Sequence, residues 1–141
     1  MGRIQWDDSM SIGIDEIDEQ HKKWINFHNH MHDSILGLNG KDSDTEAKEV
    51  VKAMMDYTVY HFKCEREYME KISYPDLVPH MRLHSHFEDE VYQHFRAVIE
   101  GDFILPSQVI KLIKQWICYH ITKEDRKIGD FRNKSKDTNH I

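Results

Sequence analysis

The sequence predicts an all-α protein, an antiparallel up-down-up-down four-helix bundle with an N-terminal arm. Breakers and capping residues divide the chain into four long segments. Apolar residues within those segments recur at spacings of three and four, and no segment alternates over enough residues to compete as a strand. Short loops between long helices favour antiparallel neighbours. The 141 residues suit one domain over 1–141, with an arm over 1–15 and a polar tail over 130–141.

The arm, "MGRIQWDDSMSIGID", offers Trp6 and Ile14 as anchors on the bundle. Asp15 or Asp18 is placed to cap a first helix that ends near Gly37 and Gly40. Ser43 and Glu46 form a capping-box pattern that opens a second helix lasting to about Ile72. "SYPD" ends it, because Tyr74 before Pro75 is pushed out of the helical region. A third helix starts near Pro75 or Asp76 and ends at Gly101; Pro79 falls in its first turn, where the missing amide has no intrahelical partner to lose. Pro106 suits the first position of the last helix, expected to continue to Gly129.

Composition narrows the function. With 39% hydrophobic and 31% charged residues the chain reads as an ordinary globular domain, and a net charge of −6 argues against a nucleic-acid surface. No apolar run approaches bilayer length, and Arg3, Asp7 and Asp8 interrupt any signal-peptide core. Cys64 and Cys118 are too few for a disulfide framework and fit a reducing compartment, so a cytoplasmic location is expected. Histidine stands out: 11 residues, against 6 Phe and 6 Tyr.

Residues four apart share a helix face. His61 and Glu65 therefore share the inward stripe of the second helix, and His80 and His84 that of the third. His21 opens a stripe continued by Ile25, His28 and His32, and His120 follows Ile113 and Trp116 on the last helix. Asp125 lies about 140° around an ideal helix from His120, so a π-type bulge or a loosened helix end is needed to bring the two together. His30, His86, His94 and His140 read as surface or solvated residues, and Met31, Met54, Met55 and Met69 as core.

Buried imidazoles and carboxylates need partners, and a bundle interior is a frequent place for a metal to supply one. Five imidazoles and two bridging carboxylates on a pair of octahedral metals, with one shared oxygen, leave one coordination position open. Imidazole-rich ligation of this kind suits iron better than magnesium or calcium, while zinc and manganese accept the same groups.

The run from "WDDSMSIGIDEIDEQHK" through "HFKCEREYMEKISYPDLVPHMRLHSHF" to "WICYHITKED" resembles the hemerythrins, specifically their single-domain bacterial branch. The pattern of an isolated His, HxxxE, HxxxH and HxxxxD is complete as His21, His61 with Glu65, His80 with His84, and His120 with Asp125. The resemblance implies two iron ions in a non-haem, oxo- or hydroxo-bridged centre that binds O2 reversibly for transport, storage or delivery. One iron would be held by His80, His84 and His120 and the other by His21 and His61, with Glu65 and Asp125 bridging. Ile25, Phe62, Phe87 and Trp116 are the candidates for a dry wall around it.

His28 and His32 depart from the common family pattern and are pocket candidates: second-line hydrogen-bond donors, a proton route, alternative ligands, or else satisfied core histidines or histidines lining an entry channel. Two other functions share the ligand set, an O2 or redox sensor module and a di-iron enzyme acting on peroxide or nitric oxide; a binding protein without catalysis is the expectation. O2 is the expected ligand, with no nucleic acid and no membrane insertion. A protein recipient of O2 is allowed for without being identified, and the expected assembly is a monomer or weak oligomer. A ferritin-like oxidase shares the bundle but uses Glu-x-x-His pairs, and none occurs in this chain.

Overall fold

A computed structural model describes residues 3–35, 43–100 and 106–138, and every regular element among them is helical. After a 3-10 turn at Asp8–Met10 come α1 (Asp15–Ile35), α2 (Ser43–Lys71), α3 (Leu77–Glu100) and α4 (Pro106–Tyr119). A π turn at His120–Asp125 joins α4 to α5 (Arg126–Thr138). α1 packs against α2 and α4, and α3 closes the ring by packing on α2 and α4. The expected four-helix bundle is thus present, and no helix is long and apolar enough to cross a membrane among the described residues.

The expected helix starts hold at both prolines. Pro106 is the first residue of α4, and Pro79 sits in the first turn of α3, where His80 N–H donates to the Asp76 carbonyl at 3.1 Å. α2 ends one residue before the expected Ile72, by a different device. Ser73 takes the left-handed conformation at φ 57°, which lets Tyr74 N–H donate to the Met69 carbonyl at 2.9 Å. The expected ends at Gly37, Gly40 and Gly101, the side chains of the Ser43–Glu46 box, and His140 lie outside what is described.

Two expectations need correction. Neither Asp15 nor Asp18 caps α1: Asp15 is already its first residue, and the Ile14 carbonyl accepts from the Ile17 and Asp18 amides and begins the helix. The Asp18 carboxylate instead holds the arm, accepting from Ile12 N–H at 2.9 Å and from the Ser11 hydroxyl. Nor does the last helix stop at Gly129: it runs on to Thr138. Gly129 serves packing, because a Cβ there would stand 1.7 Å from the Ile12 carbonyl oxygen.

Two apolar clusters result. The larger one joins Trp24, Ile25, Met31, Met54, Phe62, Phe87 and Ile113 in the bundle interior, with Ile4 of the arm closing over it. The smaller one packs Ile12 and Ile14 of the arm against Ile17, Met69, Tyr74 and Ile128. Ile14 is the anchor expected, Trp6 is only partly buried, and Ile4 and Ile12 carry the rest of the arm. Asn29 ties the arm down by its backbone as well. Its side chain accepts from Ile4 N–H at 2.7 Å and donates to the Ile4 carbonyl at 2.8 Å.

Candidate metal centre

Helix geometry presents the donors. His61 and Glu65 point inward from α2 one turn apart, as do His80 and His84 from α3, while His21 comes from α1. His120 and Asp125 sit at the two ends of the π turn, whose wider step supplies the rotation that five α-helical residues lack. All seven side chains are buried, with exposures from 0% to 3%.

They converge as two groups. Glu65, His80, His84, His120 and Asp125 form one; His21, His61, Glu65 and Asp125 form the other; within each group one atom per residue lies within 4.8 Å of the rest. The five imidazoles all aim Nε2 at the centre. Glu65 directs Oε1 to His80 at 2.7 Å and His84 at 3.1 Å, and Oε2 to His61 at 3.1 Å and His21 at 3.7 Å. Asp125 divides in the same way. Its Oδ1 is 2.9 Å from His120 and 3.0 Å from His80, and its Oδ2 is 3.0 Å from His21. Each carboxylate therefore offers one oxygen to each group.

The donor set fits a cation better than it satisfies itself. His21 Nε2, His61 Nε2, Glu65 Oε2 and both Asp125 oxygens are buried with no hydrogen-bond partner despite their close neighbours. His84 Nε2 and His120 Nε2 face each other at 3.0 Å, an arrangement in which one lone pair at most meets a proton. Unpaired groups of this kind cost free energy unless something positive lies between them.

Protons partly take that role. Burial opposes the charge on His21 and His80, yet Asp125 and Glu65 outweigh it and raise both to about 9. Burial likewise opposes the charge on His120, which the same carboxylates raise. His61 and His84 go down, because burial outweighs their carboxylate contacts. Burial pushes Glu65 and Asp125 upward, but their imidazole neighbours win and hold both carboxyls well below the usual range.

Aromatic rings wall the centre on its apolar side. Phe62 stacks on His84 with centroids 3.8 Å apart and Trp116 on His120 at 3.9 Å, while Phe87 backs Trp116 at 4.0 Å. Ile25 is buried in the same cluster. His28 is fully buried one heptad from His21, with Nδ1 3.1 Å from Asn29 Oδ1, and stacks loosely on partly buried His32 at 6.4 Å. Neither joins a donor group. His30 and His86 are exposed and His94 is partly buried, its Nδ1 donating to the Glu90 carbonyl at 2.7 Å.

Two residues of the site escaped sequence reasoning. Gln20 Oε1 accepts from His61 Nδ1 at 2.8 Å, which fixes the tautomer that leaves a lone pair on the inward Nε2. Trp24, fully buried, stands 5.1 Å from His61 and 5.6 Å from Trp116, its Nε1 donating to Thr58 at 3.1 Å. Trp24 had a signal, lying three residues beyond His21 on the inward stripe. Gln20 had none, because the residue before His21 points about 100° away from it.

Comparison with known proteins bears on the family and the fold. The profile of the Hemerythrin HHE cation binding domain matches residues 12–131. A bacteriohemerythrin of Stenotrophomonas maltophilia is 30% identical over 130 residues, covering 92% of this chain and 82% of that protein. A hemerythrin-like protein of Naegleria gruberi is 28% identical over 124 residues, 88% of this chain and 89% of that one. A hemerythrin crystal structure of a single-residue variant superposes with a TM-score of 0.84 at 23% identity, over 93% of this chain and 98% of that one.

Proposed function

From the premise that this chain belongs to the hemerythrin family, we propose that it binds O2 reversibly at a non-haem di-iron centre, as a carrier or local store and not as an enzyme. The observation that carries this reading is the division of both carboxylates, one oxygen to each group of imidazoles. In this reading His80, His84 and His120 hold one iron, His21 and His61 the other, and Glu65 and Asp125 bridge them.

When bound, a ferrous pair supplies the two electrons and the open coordination position that reversible O2 uptake requires. The chain's own residues do the rest. Gln20 holds His61 in its ligating tautomer, and the stacked Phe62 and Trp116 keep water away from His84 and His120. Free Cys64 and Cys118 support a reducing, cytoplasmic setting.

A sensing role has one observation in its favour. Asn29 joins buried His28 to the backbone of the arm, so a change at the bundle interior has a bonded route outward.

The deciding experiment is anaerobic: reduce the protein, quantify iron per chain, then follow the visible spectrum as O2 is admitted and removed. About two irons per chain and an O2-dependent charge-transfer band that vanishes on deoxygenation are expected. Rapid, irreversible oxidation would overturn the carrier reading and direct attention to peroxide and nitric oxide turnover. Protease sensitivity of the arm that tracks O2 would favour sensing.

A further inference from the structure

We propose that ferrous iron reaches the centre through the crevice between the α2–α3 connection and the π turn, with Glu124 as its docking carboxylate and Lys127 as the group that restrains it. The inference rests on the reading of the seven-donor cluster as a metal centre.

The crevice has a volume of about 170 Å3, and Tyr74, Asp76, His80, Leu83, Glu124 and Lys127 are among its lining residues. Its distinguishing member is His80. This ligand is 97% buried yet keeps 3% of its surface exposed, the most of the seven, whose other members range from 0% to 2%. His80 Nε2 in turn lies 3.0 Å from Oδ1 of Asp125, whose two buried oxygens have no hydrogen-bond partner. The crevice thus reaches one donor, and that donor touches a carboxylate that lacks a partner.

The π turn makes this arrangement local. Adjacent residues on it diverge, so Asp125 turns inward while Glu124 stays half-buried at the crevice wall. The charged groups lining the crevice are Asp76, Glu124 and Lys127. Lys127 Nζ lies 3.4 Å and 3.3 Å from the two Glu124 oxygens, long contacts of an ammonium that is itself mostly exposed. Such a pair is weak and exchangeable, and an arriving divalent cation can displace the lysine. Asp76 adds to the field that draws the cation in.

A second depression provides an internal comparison. Lined by Glu16, Glu67 and Lys71, it holds the same balance of two carboxylates and one lysine in about 240 Å3, but none of the seven donors lines it. Charge alone would make the two equivalent. Access to a ligand separates them.

The test is the rate at which the metal-free full-length protein takes up Co2+, followed in stopped flow by the ligand-field bands of the bound ion, with stoichiometry measured at the end. Glu124→Gln should slow uptake about five-fold or more and Lys127→Gln should accelerate it, both at low salt and with unchanged endpoint spectra, because steering acts on the association rate. Glu67→Gln should leave the rate alone. Rates of the Glu124 and Lys127 variants within a factor of about two of the parent, or equal slowing by Glu67→Gln, would overturn the route while leaving the centre intact. Failure of the unmodified protein to take up any Co2+ would overturn both the route and the centre.

Discussion

His120 and Asp125 lie on one unbroken helical path, yet His120 Nε2 stands 2.9 Å from Asp125 Oδ1 because a π turn, and not an α turn, spans them. Five residues of α-helix would leave the pair about 140° apart. The turn is held by what it presents: its inward residues His120, Ile121 and Asp125 are all buried. A local departure from regular geometry at a site of this kind is where function rather than propensity sets the backbone.

Asp125→Asn keeps the shape of that side chain and removes its charge. Metal affinity is expected to fall by about 100-fold or more, since the change touches a donor and not only its support. Chelator competition on the reconstituted variant measures it. An iron content and affinity equal to the parent's would show that Asp125 is no ligand.

Gln20→Ala removes the acceptor that fixes His61. Losing such a support is expected to cost about 10- to 100-fold in metal affinity. Gln20→Glu, which keeps an acceptor oxygen at the same reach, should recover most of the loss. Equal weakening in both variants would point to packing at this position instead of the hydrogen bond.

Protonation and metal binding compete, and the direction follows from the shifts. His21 and His80, raised to about 9, are charged in the metal-free centre at neutral pH, so a cation must displace their protons. Metal uptake at pH 7.5 should release protons, and apparent affinity should climb with pH until about 9 and then flatten. The same groups stabilise the metal-free fold fully below the ordinary histidine value of about 6.5, and that contribution drains away as pH rises from there to about 9. His61 and His84 are lowered, so their contribution is present above the ordinary value and is lost on acidification; the depressed Glu65 and Asp125 add a loss at still lower pH. Thermal unfolding of the metal-free protein should therefore show a maximum near neutrality, falling on both sides. A flat profile between pH 6.5 and 9 would contradict the charge assignment.

Gly129→Ala reverses the usual sign of its class. In an open helix the change stabilises by about 1 kcal/mol. Here the added Cβ meets the Ile12 carbonyl at 1.7 Å, and that neighbour is backbone, so the arm must move. Destabilisation by about 2 kcal/mol or more is expected, read from the denaturant midpoint. A stabilised variant would mean that the arm yields without cost.

The seven candidate donors were legible in the sequence because their spacing is a property of one helix at a time. His61 with Glu65 and His80 with His84 need only the helical repeat to be seen as pairs, and the need for a π turn before Asp125 follows from the same arithmetic. What escaped depends on a second element. Gln20 is meaningful only once α2 brings His61 beside it, and Asp18 looks like a helix cap until the arm folds back onto its carboxylate. Gly129 looks like a helix stop for the same reason, since the Ile12 carbonyl that demands a glycine is more than a hundred residues earlier in the chain. Local pattern gave the donors, and packing decided the supports.

The clasp between the arm and α5 also orders the folding of the chain. Arg126 donates to the Ser9 carbonyl and Arg132 to that of Gly13, beside the Gly129–Ile12 contact. A chain leaving the ribosome N-terminus first has its arm complete before any of those partners exists. His120 and Asp125 arrive at the same late moment, from the same stretch of helix. The arm must wait for α5, and so must the full set of candidate donors: docking of the arm and convergence of those side chains fall together in the folding of this chain.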